Sequence, residues 1–313
     1  MEDDPTYFFS LCYLGMVKEK LEVKELLSSS SKKQTSTPQI KSSIKIDLPK
    51  DKMITELDYI WVKGSVSEEV EQVFVNGQKA HIQENNKQFK IAVPIEKLGK
   101  NVFLIEAVDK AMNIVRKTKR IFKKASFVDV KESGEESDAI LRMAELSFFS
   151  GYKDKTFHPE KHLSRAEFAS LLAKIKKLKL SNPVDKMYKD VPLNYWATPY
   201  IEAIVKSNIM EPYSNDYFQP KSKISHNSAV IIIAKFDDLV PPKNVLIRSF
   251  NDLPLTYSSA PWAEVAKKVG ILKGIDLLKP DDYLTRGEAA LWLYRTEEVK
   301  NHLNDLNNWD KGF

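Results

Sequence analysis

The sequence predicts a multidomain chain: an all-β sandwich followed by a mainly α tandem array, a helical bundle with long loops. Two observations predict it. From about Met53 to Lys124 short runs of alternating apolar residues recur roughly every 10 residues, the texture of a β-sandwich. From Phe127 onward one block recurs, opened by Phe127-Val128-Asp129-Val130, Tyr188-Lys189-Asp190-Val191 and Phe250-Asn251-Asp252-Leu253, with starts 61 and 62 residues apart. A fixed long period marks a tandem array, and arrays bind or scaffold.

Composition sets the outer limits. The chain has 313 residues, 42% of them hydrophobic, enough for two or three packed cores. Its net charge of +5 is a small surplus of 48 basic over 43 acidic residues, a mild preference for anionic partners. Cys12 is the only cysteine, which excludes an intrachain disulfide framework and a Cys-based zinc site. No run reaches the ~18 apolar residues of a transmembrane helix.

Residues 1–27 read as a short helical segment, with Leu11-Cys12-Tyr13-Leu14-Gly15 faintly similar to the end of a tetratricopeptide helix pair. No signal peptide is visible there, and a start truncated relative to the gene is the expectation. Residues 28–50, rich in Ser, Thr and Lys, read as a disordered linker, because ordering them would bury little.

The sandwich is expected over residues 51–124. Its strands are Tyr59 to Gly64, Val70 to Val75, His81-Ile82, Phe89 to Val93, Asn101 to Val108 and Ile114-Val115. Asn76-Gly77 between two apolar runs signals a type I′ hairpin, which requires positive φ at both positions. Val62-Lys63-Gly64, Val73 to Gly77, Gly99-Lys100-Asn101 and Ala107 to Asn113 together resemble a bacterial immunoglobulin-like module found as a spacer in surface proteins.

The array divides into 125–182, 183–245 and 246–313, the last with a C-terminal tail. Ser164-Arg165-Ala166-Glu167 and Thr285-Arg286-Gly287-Glu288 are S/T-x-x-E capping boxes, in which hydroxyl and carboxylate satisfy exposed helix amides reciprocally. Behind them, and behind Ser225, apolar residues at three-to-four spacing predict amphipathic helices: Phe168 to Leu178, Val230 to Phe236, Ala289 to Tyr294. Three such stripes can share one core, which predicts a pseudo-threefold bundle with grooves between successive repeats.

Phe127-x-Asp129-Val130, Gly151-Tyr152-Lys153-Asp154-Lys155-Thr156-Phe157-His158-Pro159 and Leu163-Ser164-Arg165-Ala166-Glu167-Phe168 resemble a surface-layer homology (SLH) domain. The second copy contributes Trp196-Ala197 and Phe218-x-Pro220, and the third Leu284-Thr285-Arg286-Gly287-Glu288. The resemblance implies a non-covalent anchor at the cell surface, holding exported proteins to secondary cell-wall polysaccharide, often pyruvylated, or to peptidoglycan-linked polymer. It implies that Arg165 and Arg286 reach the sugar acid, since a guanidinium can give a carboxylate two parallel hydrogen bonds. Asp129, Asp190 and Asp252 are expected either to accept sugar hydroxyls or to cap turns. Trp196 offers a stacking face or a core contact, and Gly151 a close approach. The second copy reads Ser225-His226-Asn227-Ser228 in place of the box, so its groove is expected to be silent.

No enzyme, cofactor or metal site is predicted. His158 and His162 flank Pro159, which argues for a loop and against the one-faced helix of an H-E-x-x-H zinc site, and no phosphate loop or nucleophile elbow is present. The basic stretch Arg116 to Arg120 lacks interleaved aromatics, so no nucleic acid is expected. The alternative to a polysaccharide anchor is a surface scaffold whose degenerate repeats pack against protein neighbours.

Overall fold

A computed structural model describes residues 42–131, 133–181, 185–243, 245 and 248–311. The helical segment expected over 1–27 and most of the expected linker lie outside them. The described chain divides into two compact units, one ending at Lys124 and the other starting at Ala125.

The first unit is a two-sheet sandwich. Its strands are β1 (Ile44–Leu48), β2 (Met53–Thr55), β3 (Tyr59–Val66), β4 (Val70–Val75), β5 (Gln78–Lys79), β6 (His81–Ile82), β7 (Gln88–Pro94), β8 (Gly99–Asp109) and β9 (Ile114–Lys123). One sheet has the order β1-β3-β7-β6 and the other β2-β9-β8-β4-β5, all antiparallel except β2 with β9. Alternation decides the layers: on β3, Ile60, Val62, Gly64 and Val66 are buried while Tyr59, Trp61 and Lys63 face out. Val73, Ile105 and Ile121 are fully buried between the sheets. The predicted hairpin turn is present, with Asn76 at φ 48 and Gly77 at φ 78.

One expectation is corrected here. The linker read over 28–50 runs too far, because Ile44–Leu48 is strand β1, paired with β3 from Ile44↔Val66 to Leu48↔Lys63. Ile44 is buried, and the burial it gains on that sheet offsets the ordering cost that the polar flank suggests would go uncompensated.

The second unit is helical: α1 (Glu135–Glu145), α2 (Arg165–Ile175), α3 (Thr198–Lys206), α4 (His226–Phe236), α5 (Ala260–Lys268), α6 (Arg286–Tyr294) and α7 (Glu297–Asn307). Both capping boxes form, Ser164 with Glu167 and Thr285 with Glu288. Ser225 caps α4 through the Ser228 N–H without a glutamate. Helix α7 lies in the expected tail; Thr296 caps it and Asp237 accepts from the N–H groups of Glu297 and Glu298.

The repeats hold one another in a closed cycle. Leu163 N–H donates to Leu284 O, Ile224 N–H to Leu163 O and Leu284 N–H to Ile224 O, at 2.8 to 3.1 Å. Next to them Arg165 N–H donates to Ser222 O, His226 N–H to Asp282 O and Arg286 N–H to Lys161 O, each at 2.8 Å. Helix packing follows the same order: α2 against α3, α4 against α5, and α6 against α1. These joints bring residues more than 100 positions apart into one hydrophobic core that includes Phe157, Phe168, Phe218, Phe236 and Phe250.

Gly151 is set by that packing. A Cβ there would stand 2.3 Å from Phe127 Cε1 and 2.8 Å from Thr156 O. Gly151→Ala should therefore cost about 2 kcal/mol in urea unfolding; an unchanged midpoint would show that the Phe127 ring can yield.

Candidate functional site

The most ordered polar feature of the second unit is a grip repeated at each joint. Asp129 accepts from the N–H groups of Phe157 and His158, both at 2.7 Å. Asp190 accepts from Phe218 at 3.0 Å and Gln219 at 2.7 Å, and Asp252 from Leu278 at 2.9 Å and Lys279 at 2.6 Å. The carbonyls of the same three residues are taken by a cation from another repeat. Arg165 Nε donates to Phe218 O at 2.7 Å, Arg286 Nε to Phe157 O at 2.9 Å, and His226 Nδ1 lies 2.7 Å from Leu278 O. Each arginine then uses Nη2 on a second carbonyl, Arg165 on Glu211 O and Arg286 on Ser150 O.

These bonds fix one edge of each guanidinium and leave the Nη1 end for other acceptors, because the group has five donors in a rigid fork. Arg165 also stacks on the Phe218 ring at 4.6 Å and Arg286 on Phe157 at 4.4 Å. Stacking and two carbonyl bonds together hold each cation in one rotamer before any ligand arrives.

The joints differ in charge and exposure. Arg286 is only 9% exposed, and Glu167 and Asp129 act on it electrostatically. Glu136 reaches the same place, for the Cβ absent from Gly287 would fall 2.6 Å from its Oε1. Burial first, and then Glu160 and Glu288, hold the Glu136 carboxyl above its ordinary 4.5. Arg165 is half-buried and has Asp190 as its acidic neighbour. The difference follows from sequence: the repeat facing Arg286 carries the box glutamate Glu167, whereas the repeat facing Arg165 has Ser228 at that place.

At the middle joint His226 stands where the other repeats have arginine. Its Nε2 lies 3.0 Å from Glu288 Oε2 and its ring 5.3 Å from Trp292. Burial pulls the imidazole pKa down, but the Glu288 hydrogen bond and charge and the Leu278 carbonyl outweigh it and hold the ring above 6.5. Burial pushes Glu288 up, yet His226 and the Thr285 N–H bring it below 4.5. Two buried oxygens at this joint, Asn227 Oδ1 and Ser259 Oγ, have no partner among the described residues. At the joint of Arg165 the matching residues are Ala166 and Ala197, both fully buried.

Beside the Arg286 joint lies an open depression of about 730 Å³ lined by Asp129, Tyr152, His158, Pro159, Glu160 and Lys161. Lys161 Nζ donates to Tyr152 Oη at 2.9 Å, and the His158 ring meets the Tyr152 ring edge-on at 4.6 Å. This aromatic concavity, with Asp129 and Glu160 as well as Lys161 on its lining, brings together Tyr152, His158 and Lys161; sequence reasoning weighed His158 only as a zinc ligand and quoted Tyr152 only within the repeat motif, and nothing in the motif shows that they converge.

Of the residues expected at the site, Asp129, Asp190 and Asp252 take the capping alternative, both oxygens engaged by loop amides. Gly151 admits the Phe127 ring and the Thr156 carbonyl. Trp196 is half-buried, packed against the core and 5.6 Å from the Tyr195 ring. Arg165 and Asp190 meet at one joint and Arg286 and Asp129 at another, so the expected residues form separate places.

The middle joint should be pH-dependent. A histidine raised above 6.5 on folding adds stability that is complete below 6.5 and drains as pH rises through the folded value. The lowered Glu288 loses its share as pH falls below 4.5. The melting advantage of wild type over His226→Gln should thus be largest between 4.5 and 6.5 and shrink as pH rises above 6.5 through the folded value; a constant difference contradicts the pairing. Asn227→Ala with Ser259→Ala restores the alanine pair and removes two unsatisfied oxygens, so stability should rise by about 1 kcal/mol; a fall in melting temperature would show that those oxygens are solvated.

Comparison with known proteins finds matches to both units. Residues 126–169 and 188–228 match the S-layer homology domain family, and residues 42–125 match glucodextranase domain B. A cellulosome-anchoring protein of Acetivibrio thermocellus is 32% identical over 142 residues, 44% of this chain and 30% of that protein. An uncharacterized cell wall amidase of Bacillus anthracis is 28% identical over 184 residues, 56% of this chain and 33% of its own. An S-layer protein of Bacillus licheniformis is 25% identical over 179 residues, 55% and 20% respectively. The chain thus spans a third or less of the length of these relatives. From the repeated grip and these matches, the chain carries S-layer homology repeats behind an immunoglobulin-like module of the glucodextranase domain B type.

Proposed function

We propose that this chain is a non-catalytic anchor at the cell surface that binds anionic cell-wall polysaccharide, pyruvylated polymer included, in grooves between three SLH repeats arranged as a pseudo-threefold bundle. The repeats span 125–182, 183–245 and 246–313, and the immunoglobulin-like unit serves as spacer. The names of the relatives, one anchoring a cellulosome and one forming an S-layer, support the location and the role.

The observation that carries the reading is the state of Arg165. Its guanidinium is fixed by Phe218 O and Glu211 O and by the Phe218 ring, remains half-exposed, and lacks the box glutamate that crowds Arg286. A cation ordered in advance costs little entropy when a sugar carboxylate docks, and the Nη1 end can meet it with a charge-assisted hydrogen bond. Arg286, closed in by acidic groups, is the weaker contact. Trp196 supplies an apolar ring face. Asp129, Asp190, Asp252 and Gly151 shape the loops that present the cations.

Sedimentation with isolated cell walls tests this. Arg165→Ala should lower wall affinity about tenfold, and walls stripped of the anionic polymer should retain little protein. Asp190→Asn disturbs the same grip without removing the cation and should weaken binding far less. A folded Arg165→Ala chain that binds walls undiminished would falsify the arginine reading.

A further inference from the structure

The outer face of the β1-β3-β7-β6 sheet has a composition that sandwich packing does not require. Tyr59 is 54% and Trp61 44% exposed, two positions apart on β3, so their rings stand about 7 Å apart along one face. The residues opposite them on β7 are Pro94 and Ala92, too short to cover an aromatic ring. Two rings are therefore left uncovered side by side on a flat, pleated surface.

The next pair along the same face is Lys63 opposite Lys90, with His81 opposite Lys90 on the other side. Like charges directly opposite on neighbouring strands destabilise a sheet, and neither lysine forms an ion pair among the described residues. The Lys63 ammonium stays 5.7 Å from the Trp61 ring centroid. No strand position on this face of β3 or β7 carries a carboxylate, and the exposed carboxylate of β1, Asp47, is paired with Lys45 at 3.3 Å. Open rings that suit the C–H face of a sugar, beside two cations lacking a counter-charge, fit one ligand chemistry: a saccharide bearing carboxylates.

We propose that this sheet face of the first unit is a second glycan-binding surface, taking an acidic saccharide with Tyr59 and Trp61 as the stacking platform and Lys63 and Lys90 as the carboxylate contacts. It is separate from the grooves of the helical unit. A chain of this kind grips an acidic polymer at two places, and joined sites gain avidity without new contacts.

The test titrates the full chain, and the full chain carrying Arg165→Ala, with oligogalacturonate, a neutral cello-oligosaccharide and a single-stranded oligonucleotide. The surface predicts oligogalacturonate binding in the Arg165→Ala background, weakened about tenfold by Tyr59→Ala with Trp61→Ala and retained by Trp61→Phe. Lys63→Ala with Lys90→Ala should weaken oligogalacturonate and leave the neutral oligosaccharide unchanged. All four side chains are exposed, so the aromatic changes should move the melting temperature little, and Lys63→Ala with Lys90→Ala, which removes opposed like charges, should not lower it. Absence of oligogalacturonate binding in the Arg165→Ala chain, an isotherm indifferent to Tyr59→Ala with Trp61→Ala, or an effect confined to the oligonucleotide would overturn the proposal. A partial loss on Arg165→Ala whose remainder depends on Tyr59 and Trp61 supports it, the lost part belonging to the helical unit.

Discussion

At each joint of the helical unit a single peptide residue is held from both sides: an aspartate takes its N–H and a cation from another repeat takes its C=O. Phe157, Phe218 and Leu278 are those residues. All three side chains are buried and these backbone bonds are buried or part-buried, so an unpaired group there would be costly. The aspartate is local, about 28 residues upstream in the same repeat, and it shapes the loop. The cation belongs to a different repeat and closes the cycle. Removing either leaves a buried polar group without its partner.

This double grip gives the arginines two tasks that the geometry makes compatible. A guanidinium can spend one edge on structure and keep the other for a ligand, which a lysine ammonium with three freely rotating donors does less well. Ordering the cation by carbonyls, which are neutral, leaves its charge to be met only by nearby carboxylates that do not hydrogen-bond it, Asp190 in the case of Arg165. At Arg286 that advantage is reduced by burial and by the charges of Glu167 and Asp129. At the middle joint it is spent altogether, because His226 pairs with Glu288 and has no donor left over. The array thus grades from a half-buried cation at the first joint to an internal ion pair at the second.

The two units present side chains by different physical means. In the sandwich, alternation along β3 sends Val62 inward and Trp61 outward with no choice left to the tertiary structure once the register is set. In the helical unit presentation depends on helix starts: a capping residue fixes the first turn, and the next position, Arg165, His226 or Arg286, projects across the joint. A sheet face offers a broad, flat surface, and a capped helix start offers one cation in one place.

The sequence by itself determined what short-range rules encode. Alternation located the main strands, Asn76-Gly77 located a turn that needs positive φ, and the S/T-x-x-E boxes fixed the helix starts. These depend on neighbours two to four positions away, so one chain suffices to read them. Strand β1 escaped because its polar flank read as linker, and its pairing with β3 lies about 20 residues on. The tertiary structure alone decided which carbonyl each cation takes, 53 positions away for Arg165 and 129 for Arg286, and that the aspartates face amides rather than solvent. It also decided that Tyr152, His158 and Lys161 share one depression. The period shows that three copies exist; only closure of the cycle, by hydrogen bonds between residues far apart in the chain, sets which side chains meet.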